Sequence, residues 1–203
     1  MKKILISQRR DCIANRDETR DVLDTRWARI LFELGYLPVP VCSELAGEDI
    51  YIERLKPDGI LLTGGNDIGQ APARDLIEVQ LLDSAYKKGL PVLGVCRGMQ
   101  MINHYLGGSL VEVQNHVAIR HLIEGDWAKQ HGYQGVNSYH NQAIVMQTIA
   151  KQLKVLATTV DGVIEAVAHC TQRWIGIMWH PEREIEITKQ DATLILKLFG
   201  DDK

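Results

Sequence analysis

Short apolar runs bounded by polar or glycine-rich turns alternate along the chain with longer stretches in which apolar residues recur at helical spacing. Residues 3–7, with Ile4, Leu5 and Ile6 in a row, predict a first strand. A polar loop over residues 8–18 then leads to Thr19, which the pattern places as the N-cap of a helix over residues 20–34. Val22, Leu23, Trp27, Ile30, Leu31 and Leu34 supply the periodic face of that helix, and Gly35 its end. Residues 37–41 carry Pro38 and Pro40, as an edge strand or strand end does. A short helix over 49–55, a buried strand over 59–63 and an amphipathic helix over 75–88 closed by Gly89 follow. Residues 91–95 are too short for a helix and β-branched enough for a buried strand, and helical sequence resumes over 99–106. Shorter strands and loops then run as far as residue 145, starting at 109–113. Residues 154–159 and 163–169 flank Asp161-Gly162 as a hairpin, 174–179 is another apolar strand, and 188–199 is a closing helix.

Strands alternating with helices imply an α/β chain: a three-layer sandwich with a mostly parallel central sheet, in one domain over residues 1–203. A formal net charge of −3 without blocks of like charge argues against nucleic-acid and membrane partners. The basic start Met1-Lys2-Lys3 meets Gln8-Arg9-Arg10-Asp11 after only a short apolar run, so it reads as a strand rather than a signal peptide, and a cytoplasmic protein is expected. Cys12, Cys42, Cys96 and Cys170 lack C-x-x-C spacing and are expected as reduced thiols. Among the seven histidines, His116 and His121 come nearest to a paired spacing, but the ligand spacings of closed zinc sites are absent. Neither a metal nor a cofactor is expected.

Candidate chemistry concentrates where the strand over 91–95 meets the helix after it. Gly94-Val95-Cys96-Arg97-Gly98 is a G-x-C-x-G nucleophile elbow: the glycines permit close backbone passage while the cysteine is held up on a sharp strand-to-helix turn. The positive end of the following helix favours a thiolate, and nearby backbone N–H groups can receive an oxyanion. The loop Gly64-Gly65-Asn66-Asp67-Ile68-Gly69 lacks a phosphate-binding pattern, but it ends a buried strand expected to lie beside that of Cys96. Asn137-Ser138-Tyr139-His140-Asn141-Gln142 is a polar run without the lysine and glutamate of a solvated face, consistent with a turn or a binding loop. At the end of the strand over 174–179, His180-Pro181-Glu182 delivers an imidazole and a carboxylate able to orient it, as base to a thiol.

These motifs, in this order, resemble the class I glutamine amidotransferase-like family, in its γ-glutamyl hydrolase (peptidase C26-like) branch. The resemblance spans nearly the whole chain and implies a flavodoxin-like fold with Cys96 as nucleophile, His180 as general base and then acid, and Glu182 as its orienting residue. It further implies an oxyanion hole from the backbone N–H groups of Gly65 and Arg97. Gln100 and the segment Tyr139, His140, Asn141 and Gln142 would hold the glutamyl end of a small γ-glutamyl substrate. Arg97 departs from the aliphatic residue common in true amidotransferases and, like His140, suits the hydrolase branch. The expected activity is hydrolysis of a γ-glutamyl amide through a glutamyl thioester. The similarity is greatest to small γ-glutamyl-CDP-amidate hydrolase-type proteins of capsule biosynthesis, and Arg9, Arg10, Arg16 and Arg20 lie where a diphosphate could be met or where a solvated surface could simply be charged. A glutaminase subunit feeding ammonia to a separate synthetase and a non-enzymatic relative are the alternatives, and a homodimer is an open oligomeric state.

Overall fold

The computed structural model describes residues 1–200. In chain order the elements are β1 (Lys3–Ile6), β2 (Arg9–Cys12), β3 (Thr19–Val22), α1 (Thr25–Glu33), β4 (Leu37–Pro40), α2 (Asp49–Leu55), β5 (Gly59–Leu62), α3 (Pro72–Lys88), β6 (Val92–Val95) and α4 (Arg97–Tyr105). They continue with β7 (Val111–Glu112), β8 (Val117–Leu122), α5 (Asp126–Gln130), β9 (Gly135–Tyr139), β10 (Gln142–Ala143), β11 (Leu153–Thr158), β12 (Ile164–His169), β13 (Trp174–Ile177) and α6 (Lys189–Phe199). Seven strands form the central sheet in the order β11-β12-β13-β6-β5-β1-β4. The five from β13 to β4 are parallel, and β12 and β11 extend the sheet antiparallel.

Strand periodicity distributes the core between two layers. Ile4, Ile6, Leu61, Leu93 and Val95 point to the side covered by Trp27, Ile30 and Leu31 of α1 and Leu194, Leu198 and Phe199 of α6. Their strand neighbours Leu5, Ile60, Leu62 and Val92 point to the other side, against Ile77, Leu81 and Leu82 of α3 and Met99 and Ile102 of α4. Burial on both faces explains why β1, β5 and β6 read as continuous apolar runs instead of alternating ones. Residues 37–41 do supply the edge strand, and the hairpin around Asp161-Gly162 forms as β11 and β12. Among the described residues, no helix is long and apolar enough to cross a membrane.

The start of the first helix differs from the sequence expectation. Thr19 is not its N-cap: Thr19–Val22 pairs antiparallel with Arg9–Cys12, so the supposed loop and first helical turn form a two-stranded hairpin. The helix begins at Thr25, where Asp24 caps it by accepting from the Arg26 N–H. The apolar periodicity is real from Trp27 onward, whereas Val22 and Leu23 extended it falsely into the β-ribbon. The helix after the elbow starts at Arg97, directly after the cysteine.

Candidate active site

The elbow stands between β6 and α4. Cys96 has φ 50° and ψ −108°, a conformation that is uncommon and costly for a residue with a side chain. Its surroundings enforce it. A Cβ on Gly94 would lie 2.6 Å from the Gly98 backbone, and one on Gly98 would lie 2.2 Å from the Leu62 carbonyl oxygen, so only glycine lets α4 pack this close to β5 and β6. The Cys96 N–H donates to the Ile177 carbonyl (2.7 Å), tying the elbow to β13. Arg97 is the first helical residue, and its N–H has no carbonyl of its own helix to meet.

β13 delivers the second group. His180 Nδ1 lies 2.6 Å from Glu182 Oε1, and both residues are buried. A carboxylate can only accept, which fixes the proton on Nδ1 and leaves Nε2 free to exchange one. Nε2 makes no conventional hydrogen bond. Burial opposes the charged ring, but the Cys96 thiol and the Glu182 carboxylate outweigh it, and the pKa of His180 is raised to about 9. Gly64 sits against both reactive groups: a Cβ there would lie 2.7 Å from His180 Cε1 and 3.6 Å from Cys96 Cβ. Asn137, on β9, clamps the histidine backbone on both sides, accepting from the His180 N–H (2.8 Å) and donating to the His180 carbonyl (2.9 Å). Tyr139 packs edge-on to the imidazole with ring centroids 5.8 Å apart, and Arg183 lies 4.2 Å over the Tyr139 ring.

The loop after β5 is aimed by a residue that sequence reasoning missed. Arg74 of α3 is fully buried and donates to the carbonyls of Thr63 (2.7 Å), Gly64 (3.0 Å) and Gly65 (2.6 Å) and to Asn66 Oδ1 (3.2 Å). With its carbonyls drawn toward α3, the loop is free to present N–H groups elsewhere, and Gly65 adopts φ +88° to do so. Behind the elbow the Arg97 side chain turns inward, away from solvent, to pair with Glu78 and Asp75, and Glu78 also accepts from Arg74 (3.0 Å). Two guanidinium groups and two carboxylates thus share one buried, charge-balanced network under both loops. The Arg97 backbone opens α4 directly after Cys96, while its side chain lies in the network beneath the elbow.

The glutamyl-end candidates are spread unevenly. Gln100 is buried and donates through Nε2 to the Gln142 carbonyl (2.9 Å). Tyr139 and Asn141 are exposed, and Gln142 is half-buried. His140 is buried, with Nδ1 3.1 Å from the Gln142 carbonyl and Nε2 3.3 Å from Glu165 Oε1. A cavity of about 260 Å³ opens against His180 and Glu182, lined also by Arg9, Asp24, Trp27, Gly64, Gly65 and Arg183. Of the four arginines near the first loop, Arg9 alone lines this cavity; Arg10 is held by Ser43 and Glu44, and Arg16 and Arg20 pair with Glu18.

Comparison with known proteins bears on this arrangement. A family model for peptidase C26 matches residues 5–182. The γ-glutamyl-CDP-amidate hydrolase of Campylobacter jejuni is 31% identical over 94% of this chain and 97% of that protein. The γ-glutamyl-γ-aminobutyrate hydrolase PuuD of Escherichia coli K12 is 27% identical over 79% of this chain and 78% of its own. Among solved structures, a glutamine amidotransferase from Thermotoga maritima superposes with a TM-score of 0.72 at 14% identity, covering 98% of this chain and 99% of that one. The last comparison establishes the fold: the α/β sandwich of class I glutamine amidotransferases.

Proposed function

The chain belongs to the peptidase C26 family as a γ-glutamyl hydrolase, and we propose that Cys96, His180 and Glu182 are its catalytic residues, acting on a γ-glutamyl amide whose leaving group is anionic. The observation that carries this reading is the buried His180–Glu182 contact of 2.6 Å beside a cysteine held at φ 50°. With its pKa raised to about 9, His180 holds a proton near neutral pH and stands as an acid beside the Cys96 sulfur.

In the first half-reaction the Cys96 sulfur attacks the γ-carbonyl carbon, forming a C–S bond while the carbonyl π electrons move onto oxygen. The N–H groups of Gly65 and Arg97 receive the oxyanion. Collapse of the tetrahedral species breaks the C–N bond, and the imidazolium of His180 gives its Nε2 proton to the departing nitrogen. A glutamyl thioester and a free amine result. In the second half-reaction neutral His180 takes a proton from water, the oxygen attacks the thioester, and the C–S bond breaks to release glutamate and return the electron pair to the Cys96 sulfur, with the proton left on His180. Glu182 keeps the imidazole in one tautomer throughout. Gln100 with Tyr139, Asn141 and Gln142 forms the wall for the glutamyl end, and His140 fixes that wall through the Gln142 carbonyl.

The leaving group departs toward the cavity lined by Arg9 and Arg183. Two guanidinium groups in the lining of that cavity, Arg9 also paired with Asp11, suit a phosphoramidate or diphosphate better than an alkylamine. Together with the similarity to the Campylobacter hydrolase, they support a γ-glutamyl-CDP-amidate as substrate. Glutamate release from γ-glutamyl-CDP-amidate, γ-glutamyl-γ-aminobutyrate, γ-glutamyl peptides and glutamine separates the readings. Preference for the first, reduced by Arg9→Ala and Arg183→Ala mainly through KM, is the expected result. Equal turnover of the alkylamides rejects the nucleotide leaving group, and glutamine turnover confined to mixtures with a synthetase rejects the hydrolase in favour of an ammonia-delivering subunit. Mass spectrometry of acid-quenched enzyme is expected to find glutamate on Cys96 and on no other cysteine.

A further inference from the structure

A second cluster of reactive side chains lies next to the clamp on His180 and, apart from the contact of His140 with the Gln142 carbonyl, has no role in the chemistry above. His116, His121, His140 and Glu165 converge from β8 and its leading residue, the segment after β9, and β12. The rings of His116 and His121 are 5.1 Å apart, and those of His116 and His140 are 5.0 Å apart. Glu165 is completely buried, and His121 Nε2 and His140 Nε2 stand 3.4 and 3.3 Å from its two carboxylate oxygens. One ligand atom from each of His116, His140 and Glu165 lies within 4.8 Å of the others.

The proton inventory of the cluster leaves a gap at its centre. His140 Nδ1 faces the Gln142 carbonyl, which can only accept, so Nδ1 carries the hydrogen and Nε2 of the neutral ring is a bare lone pair. His116 Nε2 is 2.9 Å from Asp161 Oδ2, so the same reasoning places its hydrogen outward and leaves Nδ1 bare. His116 Nδ1, His121 Nε2, His140 Nε2 and both oxygens of Glu165 are all buried without a hydrogen-bond partner. Lone pairs facing a carboxylate at 3.3 Å repel unless a positive charge lies among them. Protonating the rings meets this need poorly, because imidazolium groups with ring centroids about 5 Å apart repel one another. One divalent ion between His116 Nδ1, His140 Nε2 and a Glu165 oxygen supplies that positive charge.

We propose that His116 Nδ1, His140 Nε2 and Glu165 form a binding site for a zinc ion, with His121 Nε2 standing against the second carboxylate oxygen of Glu165. Donors at about 2.0–2.1 Å from a tetrahedral Zn²⁺ stand about 3.3 Å from one another, which is the separation of His140 Nε2 from Glu165 Oε1. Imidazole and carboxylate donors suit that ion. The outward hydrogen bonds of His116 to Asp161 and of His140 to the Gln142 carbonyl are those that orient metal-bound imidazoles. The backbone is bent to build the site. His116 and His121 are an odd number of residues apart and would face opposite sides of a regular strand, but a β-bulge between Val117 and Ile119 turns them to one side. Ala118 adopts φ 57° there, a strained value for alanine. The ion would tie β8, β9 and β12 together immediately behind Asn137, and so would hold the clamp on His180. That role makes the zinc structural, with no part in bond cleavage.

Metal content of the full-length chain purified from zinc-supplemented medium tests the site. One equivalent of zinc per chain after gel filtration is expected, with removal by a dipicolinate chelator lowering the unfolding temperature by about 5–10 °C and added Zn²⁺ restoring it. Co²⁺ added to the chelated wild-type protein should give the visible absorption of tetrahedral nitrogen and oxygen ligation without a near-ultraviolet thiolate band. Glu165→Gln should lose the equivalent of zinc; if that variant does not fold, the cobalt spectrum of the wild type decides. Zinc well below one equivalent, a thiolate-to-cobalt band, or full zinc retention by a folded Glu165→Gln protein overturns the assignment. None of these readouts depends on hydrolase activity.

Discussion

Arg74→Lys isolates the residue that holds the oxyanion loop, the loop proposed to supply an oxyanion donor. The guanidinium reaches three consecutive carbonyls, of Thr63, Gly64 and Gly65, at 2.6–3.0 Å while a further nitrogen contacts Glu78 at 3.0 Å. A lysine keeps the positive charge, so Glu78 and Arg97 are not left with unbalanced charge, but one ammonium on a flexible stem cannot span the same fork. Two of the three carbonyls then lose a charge-assisted donor. At about 1–3 kcal/mol for each acceptor left unsatisfied in a buried setting, the expected loss of stability is about 2–6 kcal/mol. For a chain of this size each kcal/mol lowers the unfolding temperature by about 2–4 °C, giving a fall of about 4–24 °C. The catalytic effect is separate. Loosening the loop displaces one of two oxyanion donors, and loss of such a donor costs about 10²–10³ in kcat. KM should change little, since Arg74 lies behind the loop and away from the substrate. Steady-state glutamate release below the unfolding temperature, combined with thermal melts, gives both quantities. A variant that melts as predicted yet keeps kcat within about threefold of wild type would show that the carbonyl clamp supports the fold without aiming the Gly65 N–H, and the reasoning about the oxyanion loop would be wrong.

Gly98→Ala places a Cβ 2.2 Å from the Leu62 oxygen, so chemical denaturation should find a loss of about 2–4 kcal/mol or no folded protein at all. Glu182→Gln should lower kcat by about 10³–10⁴ by releasing the imidazole tautomer, and should move the alkaline limit of activity to lower pH. His180 is raised from 6.5 to about 9 in the folded state, so its charged form contributes stability that is fully present below pH 6.5 and is lost as pH rises through 9. Unfolding free energy should therefore decline across that window, and Cys96→Ala should flatten the decline; an equally steep curve in the variant would refute the coupling. Thr188→Ala removes the N-cap of α6 and one partner of Asp191, and calorimetry should find about 1–2 kcal/mol lost with kcat unchanged.

Local chemistry made the elbow and the His-Pro-Glu turn legible in the sequence. Glycines at both ends of a five-residue turn, and a histidine two residues before a glutamate at a strand end, are short-range patterns, and β6 and β13 deliver them side by side because those strands pair in parallel. The parallel core was legible for the same reason, since strands buried on both faces leave unbroken apolar runs. The β2–β3 ribbon was not, because its pairing depends on contacts across a turn while Val22 and Leu23 happen to continue the helical period of α1. Arg74 looked like an ordinary helix arginine four residues before a glutamate; its role appears only when α3 folds back beneath the loop that precedes it. The histidine cluster was hidden more thoroughly. Its donors come from positions as far apart as 116 and 165, and the spacing of His116 and His121 is wrong for one face until the bulge at Ala118 corrects it.

The strained elbow, the oxyanion loop and the His180 turn share one physical requirement, which the buried polar residues around them meet. Each needs backbone N–H groups or a lone pair left unpaired in a water-poor cleft, and a free chain would quench such groups by turning its own carbonyls or side chains onto them. Arg74 prevents this at the loop by holding the Thr63, Gly64 and Gly65 carbonyls, and Asn137 prevents it at His180 by occupying both backbone groups. The Arg97 side chain, drawn down to Glu78 and Asp75, anchors the residue whose N–H is proposed as the second oxyanion donor. Unsatisfied groups at the surface of the cleft are therefore stable because satisfied ones lie beneath them. The same logic requires that a buried set with no satisfied layer at its centre, as at Glu165 and its three histidines, be completed by a ligand, and a cation is what its lone pairs select.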